Sequence, residues 1–171
     1  MRLVYDSADI PTYCIRKEKD DRQLSLPFPD PDVVIVMDVA DFGVRSFKAA
    51  LSCLKPKWVF DIRASPRMDR LAGGRIHAFK EFEKIGTQYI DIFGLLNLYN
   101  YSSVESNPAF WMHIIENHLS HDGNAHGPYM ALLDDELMIN SISKYFASSI
   151  SHVTGRDVAL SRLTNDSDIF A

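Results

Sequence analysis

Two kinds of apolar pattern alternate along the chain from position 32 onward. The first is a short run of consecutive apolar residues, such as 33–37, which is typical of a strand covered on both faces of a sheet. Similar runs predict strands over 58–62, 88–92, 129–133 and 157–160. The second kind spaces its apolar residues by three or four positions, which predicts amphipathic helices between the strands.

Four such helical stripes separate the five strands. The residues predicted to face the core are Val44, Phe47, Leu51 and Leu54 in the first helix, Phe79, Phe82 and Ile85 in the second, Trp111, Ile114, Ile115 and Leu119 in the third, and Ile142, Tyr145, Phe146 and Ile150 in the fourth. Helical crossovers of this length join parallel strands with right-handed connections. The sequence therefore predicts an α/β fold: a three-layer sandwich around a small, mostly parallel, Rossmann-like sheet.

The segment before position 32 has a different character. It contains short apolar pieces separated by polar turns, and it ends in Pro27-Phe28-Pro29-Asp30-Pro31, where successive prolines oppose both helix and sheet. We expect an N-terminal extension of short strands and a proline-rich linker over 1–31, an α/β domain over 32–163, and a polar tail over 164–171.

Composition narrows the class of protein. A net charge of −5 argues against a general nucleic-acid binder, which would carry a basic face. The two cysteines, Cys14 and Cys53, make no disulfide framework, and no apolar run reaches the length of a membrane span. We expect a cytoplasmic protein.

Acidic residues follow several of the predicted strands at their carboxyl ends, where ligands bind in parallel sheets. Asp61 ends the second strand, and Asp134 and Glu136 follow the fourth. These three are the candidate catalytic residues: Asp134 and Glu136 would act as general base or metal ligands, and Asp61 would orient Arg63. Aspartate is also common at these positions because it caps helices, so the structural explanation stays open for each.

The stretch 61–75 is a candidate substrate-binding segment. Strand alternation places Asp61 and Arg63 on one face, where the carboxylate could orient the guanidinium toward a phosphate. Ser65, Arg67 and Arg75 follow, the last beside two glycines and a helix start, which together suit an anion. A solvated basic loop is the alternative. No G-x-S-x-G elbow surrounds Ser65, which disfavours it as a nucleophile.

Histidines near the end of the third helix are a weaker candidate. His118, His121, Asp122 and His126 are residue types that bind zinc or iron, but their spacing matches no established zinc signature. Histidine is also favoured in a last helical turn by the helix dipole. We therefore predict no metal site from them.

The segment Asp61-Ile62-Arg63-Ala64-Ser65-Pro66-Arg67 resembles the D-V-R-x-x-P-x-S segment of the bacterial domain of unknown function 488 family. The stretch 82–92 is similar to that family's helix, glycine and I-E-Y strand, and 132–136 resembles its L-L-C-x-E strand end. The resemblance covers 33–163 and implies a Rossmann-like fold with a pocket suited to a nucleotide or a nucleic-acid end.

Two departures from that family bear on activity. Its cysteine is replaced by Asp134, and its downstream C-H-R is missing, with 140–144 in the corresponding region. If the cysteine and histidine carry the family's chemistry, this chain has lost or replaced it.

Two functions are consistent with these features. The first is a ligand-binding or hydrolytic domain for a nucleotide-like, phosphate-bearing substrate, with Mg²⁺ as an optional cofactor; whether it is an enzyme stays open. The second is a catalytically inactive, partner-binding subunit of a bacterial, defence-related or mobile-element, multiprotein assembly. An enzyme should bring Asp61, Arg63 and Asp134 to one concave pocket, whereas a binding subunit should show that pocket filled.

Overall fold

The computed structural model describes residues 2–4, 14–16, 32–96, 107–119, 126–134 and 136–163. In the N-terminal segment, strands β1 (Arg2–Val4) and β2 (Cys14–Arg16) pair antiparallel, as expected for an extension of short strands. The proline-rich linker and the polar tail fall outside the described residues.

Five strands and six helices form the remainder of the described chain. In order they are β3 (Asp32–Asp38), α1 (Val44–Leu54), β4 (Trp58–Asp61), α2 (Asp69–Ala72), α3 (Arg75–Ile85), β5 (Gln88–Asp91), α4 (Ile92–Leu96), α5 (Pro108–Leu119), β6 (Tyr129–Leu133), α6 (Glu136–Thr154) and β7 (Val158–Leu163). A single 3₁₀ turn, Val39–Asp41, follows β3. The short helices α2 and α4 were not predicted, since an element of four or five residues is too short to show a helical period.

The five strands form one parallel sheet in the order β5-β4-β6-β3-β7. This confirms the predicted α/β class. The three inner strands β4, β6 and β3 are the ones with the most continuous apolar runs, and nearly all of their residues are buried. Coverage on both faces explains why their sequences do not alternate between apolar and polar residues.

Successive residues of each strand enter opposite layers of the core. In β3, Val34 and Val36 contact the layer that contains α5 and α6, whereas Ile35 and Met37 contact the layer that contains α1, α2 and α3. The protein is therefore a three-layer sandwich with a separate apolar core on each face of the sheet.

The four predicted helices are present, but some of the residues predicted to face the core are exposed. Phe146 is completely buried, but Tyr145 beside it is 39% exposed, and Val44 and Phe79 are also exposed. A stripe that is read from spacing alone includes its flanking positions, which lie on the boundary between core and solvent. Gly86 ends α3, with φ at +71° and its N–H bonded to the last turn of the helix.

The connections determine where the loops diverge. The chain leaving β3 and β4 enters the layer of α1, α2 and α3, while the chain leaving β6 enters the opposite layer with α6. Because β6 lies between β3 and β4, a crevice opens among the carboxyl ends of these three strands, the position where open α/β sheets bind ligands. None of the helices in the described part of the chain has the length and apolar character required to cross a membrane.

Candidate functional site

A cavity of about 510 Å³ lies at this crevice, and we refer to it as the main cavity. Each of the three strands supplies part of its wall through the segment that follows it. The residues lining it are Val39, Ala40, Arg63, Ser65, Arg67, Asp69, Arg70, Leu71 and Asp134. Four predicted site residues, Arg63, Ser65, Arg67 and Asp134, therefore meet in one place, although they come from two strands that are far apart in sequence.

Arg63 and Asp61 form a buried ion pair at the end of β4. The exposed fraction of Asp61 is 0% and that of Arg63 is 4%. The Arg63 guanidinium donates through Nε to Asp61 Oδ1 at 2.8 Å and through Nη2 to Oδ2 at 2.6 Å, which is the two-pronged geometry that makes such pairs strong. The Arg63 backbone N–H also donates to Oδ1, at 3.2 Å.

Further contacts extend this pair on both sides. The hydroxyl of Tyr89, from the neighbouring strand β5, donates to Asp61 Oδ2 at 2.8 Å. On the other side, Arg63 Nη1 donates to the carbonyl of Arg67 at 3.1 Å, and Nη2 contacts the sulfur of Met68 at 3.6 Å. The pair therefore ties the binding loop 63–68 to the sheet.

Asp61 is thus an orienting residue in the observed geometry. Both of its oxygens accept hydrogen bonds from Arg63 or Tyr89, and it does not line the main cavity. Burial alone would lower the pKa of Arg63, but the hydrogen bond and charge of Asp61 outweigh burial and raise it. Arg63 is therefore charged at neutral pH, and it lines the main cavity.

The same network raises the pKa of Tyr89, first because the phenol is buried and then because the Asp61 carboxylate opposes a second negative charge. The neutral phenol stabilises the fold fully below the ordinary tyrosine pKa of 10.0, and that stability is lost as pH rises above this value. Between pH 10 and 11 the loss from one such group approaches about 1.4 kcal/mol per pH unit.

In urea unfolding at pH 8 and pH 11, we expect wild type to lose more stability than Tyr89→Phe. Equal losses would contradict the proposed protonation of Tyr89.

The other basic residues at the main cavity, Arg67 and Arg70, are exposed to solvent. Ser65, Arg67 and Arg70 are exposed and line the main cavity, and the Arg67 N–H donates to the Ser65 carbonyl at 2.7 Å, which tightens the turn between them. Met68 anchors the loop because its side chain is buried in the core below. Two exposed guanidinium groups, that of Arg67 in the loop and that of Arg70 in α2, therefore accompany the buried one.

Two predicted site residues lie elsewhere. Glu136 is exposed at the first position of α6, where Arg162 bridges it to Asp38 with N–O separations of 3.6 Å to each carboxylate. Arg75 begins α3 and lines a different cavity, beside β5. Neither residue is among those that line the main cavity.

The histidine candidates also separate. His118 lines the cavity beside β5. His126 contacts Arg156, and these two residues lie just before the starts of β6 and β7. His121 and Asp122 fall outside the described residues. Within the part of the chain that the structure describes, no three side chains of histidine, cysteine, aspartate or glutamate come together as metal ligands.

Three participants were missed or undervalued from the sequence. Arg70 and Asp69 belong to the wall of the main cavity, and the nearness of Arg70 to Arg67 in the sequence was the signal for the first. Tyr89 had no signal, because the pairing of β4 with β5 brings it to Asp61 from 28 positions away.

Comparisons with known proteins do not extend this description: no family model matches the chain, and no curated protein or solved structure matches it. The resemblance to the domain of unknown function 488 family rests on segment 61–67 and stays a prediction. Function is therefore argued from the geometry of the cavity alone.

Proposed function

We propose that the main cavity binds a small, phosphate-bearing molecule such as a nucleotide. The observation that carries this proposal is the convergence of Arg63, Arg67 and Arg70 on one cavity at the crevice among the strand ends. Guanidinium groups match phosphate oxygens in geometry and charge, and Arg63 is held rigidly by Asp61, so its ordering costs little on binding.

The acidic residues give the site its further chemistry. Asp69 and Asp134 both line the main cavity. Mg²⁺ is commonly held by one or two carboxylates together with substrate phosphates, and these two residues are the ones that would hold it here. In a hydrolytic reaction Asp134 would also be the general base that accepts a proton from the attacking water.

Titration with pyrophosphate, with and without Mg²⁺, tests the proposal. At a concentration of one hundred times the dissociation constant we expect about 2.7 kcal/mol of stabilisation, a rise in melting temperature of about 5–10 °C for a chain of this size. Arg67→Ala removes a charge-assisted contact and should weaken binding about tenfold or more. Asp134→Asn should abolish the additional effect of Mg²⁺.

The matched control is Arg45→Ala, which removes an exposed arginine from α1 that lines neither cavity described here. It should leave pyrophosphate binding unchanged. If no anionic ligand shifts the melting temperature, or if the two arginine variants behave alike, the main cavity is not an anion site.

A second candidate function, the catalytically inactive partner-binding subunit, is favoured by the dispersal of the predicted acids. Asp61 is engaged in a closed pair and Glu136 is paired with Arg162 outside the cavity lining, so Asp134 is the one predicted acid that lines the main cavity. Catalysis through a pair of predicted carboxylates, as in glycosidic cleavage, therefore lacks its second member. Binding without turnover of ATP or other nucleotides would favour this function.

A further inference from the structure

A second cavity, of about 660 Å³, lies beside β5, and we call it the edge cavity. It is formed by α3, by the edge strand itself, by α4 and by the end of α5. Its lining residues are Arg75, Phe79, Gln88, Tyr89, Ile90, Asp91, Gly94 and His118. Among the residues that the structure describes, none lines both this cavity and the main cavity, and we treat the two as separate sites.

The edge cavity is lined by residues from both faces of the sheet, at the edge formed by β5. Tyr89 contacts the core layer of α1 and α3, while Ile90 belongs to the layer of α5 and α6. Phe79 approaches from the first layer and His118 from the second. A ligand here would therefore meet an aromatic wall on one side and polar groups on the other.

The aromatic wall is Phe79. Its ring centroid lies 5.2 Å from that of Tyr89 and 6.1 Å from that of Phe82, in edge-to-face contacts, yet the side chain remains 39% exposed. The guanidinium carbon of Arg75 lies over one face of the Phe79 ring, 5.5 Å from its centroid, so a flat ligand would use the other face. A partly exposed ring that two other rings hold in place can stack a flat ligand with little further loss of conformational freedom.

The polar part of the cavity is built around Asp91. Its Oδ1 accepts the backbone N–H of Gly94 at 2.7 Å, which fixes the carboxylate. A Cβ on Gly94 would lie 2.6 Å from Asp91 Oδ2, so glycine is required for this close approach. His118 is half-buried, and burial lowers its pKa, which favours the neutral imidazole that can either donate or accept a hydrogen bond.

We propose that the edge cavity binds a flat heteroaromatic ring with N–H donors, as a nucleobase presents. The ring stacks on Phe79, and its N–H groups donate to the Asp91 carboxylate. This second site does not depend on the phosphate site proposed for the main cavity, because a nucleoside without phosphate has no need of that cavity's arginines.

Guanosine is the probe, because its N1–H and exocyclic amino group form a donor pair that matches a carboxylate, and inosine is the matched ligand that lacks the amino group. In calorimetric titration we expect guanosine to bind about tenfold more tightly than inosine. Phe79→Ala should weaken guanosine binding about tenfold or more, as loss of base stacking does. Asp91→Asn, which preserves shape and the acceptor for Gly94, should weaken it similarly and should abolish the preference over inosine.

Two variants separate this proposal from its alternatives. Ile76→Ala removes an exposed apolar side chain from the same helix, outside the cavity lining, and should leave guanosine binding unchanged. Arg67→Ala, in the main cavity, should also leave it unchanged. The proposal is overturned if guanosine does not bind, if Asp91→Asn has no effect, or if Arg67→Ala weakens guanosine binding as much as the edge-cavity variants do.

Discussion

Replacing Arg63 by methionine is expected to destabilise the fold by about 3–5 kcal/mol. The substitution removes both side-chain bonds to Asp61 and leaves that carboxylate at 0% exposure without its opposite charge, the situation in which breaking a buried pair costs most. It also releases the Arg67 carbonyl and so frees the binding loop. Urea unfolding at neutral pH measures the change.

Two comparisons isolate the cause. Arg67→Met makes the same chemical change at an exposed position of the same loop and should alter stability by less than about 0.5 kcal/mol. The double variant Asp61→Asn/Arg63→Met removes both charges and should be more stable than Arg63→Met alone, because the unpaired carboxylate is then absent. A double variant as unstable as the single one would assign the loss to packing rather than to charge.

These expectations separate two uses of arginine in one loop. Arg63 contributes its charge to the main cavity but is also part of the structure, so its removal changes folding and binding together. Arg67 and Arg70 have exposed side chains at the same cavity. Binding experiments are therefore best interpreted with Arg67, while Arg63 reports on how the loop is held.

The fold class could be predicted because the inner strands carry an unmistakable signal. Runs such as 33–37 and 129–133 are apolar at every position, which only a doubly covered strand requires. The order of the strands had no comparable signal. The position of β6 between β3 and β4 is decided by how the layers pack, and it is this order that brings Asp134 to the loop of Arg63.

The candidate site, like the fold, could be predicted only in part. Position after a strand was enough to identify Arg63, Ser65, Arg67 and Asp134, because the carboxyl ends of parallel strands meet at one rim. It could not show which side chains turn inward to partners. Asp61 was predicted to be catalytic by orienting Arg63, and it does pair with Arg63. Its further contact with Tyr89 from another strand had no signal in the sequence, because that contact depends on the register of β4 with β5.

The neighbours Tyr145 and Phe146 show the same limit in α6, where both were predicted to face the core. Phe146 is 0% exposed and contacts Phe60 and Trp111 at centroid distances of 5.1 and 6.1 Å, whereas Tyr145 is 39% exposed. Helical spacing places adjacent residues about 100° apart, so the border of the apolar stripe falls between them. Packing, rather than composition, decides which of the two is buried.

Phe146→Ala is therefore expected to destabilise the protein by about 3–5 kcal/mol, because it removes a buried ring and leaves a cavity between β4 and α5. Tyr145→Ala, one position earlier, should cost no more than about 1 kcal/mol, since its side chain is 39% exposed and the helix propensity of alanine is higher. Urea unfolding of both variants, with equal denaturant slopes, measures the difference. Comparable losses at the two positions would mean that α6 is rotated about its axis relative to the orientation described here, and that the apolar core on this face of the sheet is assembled differently.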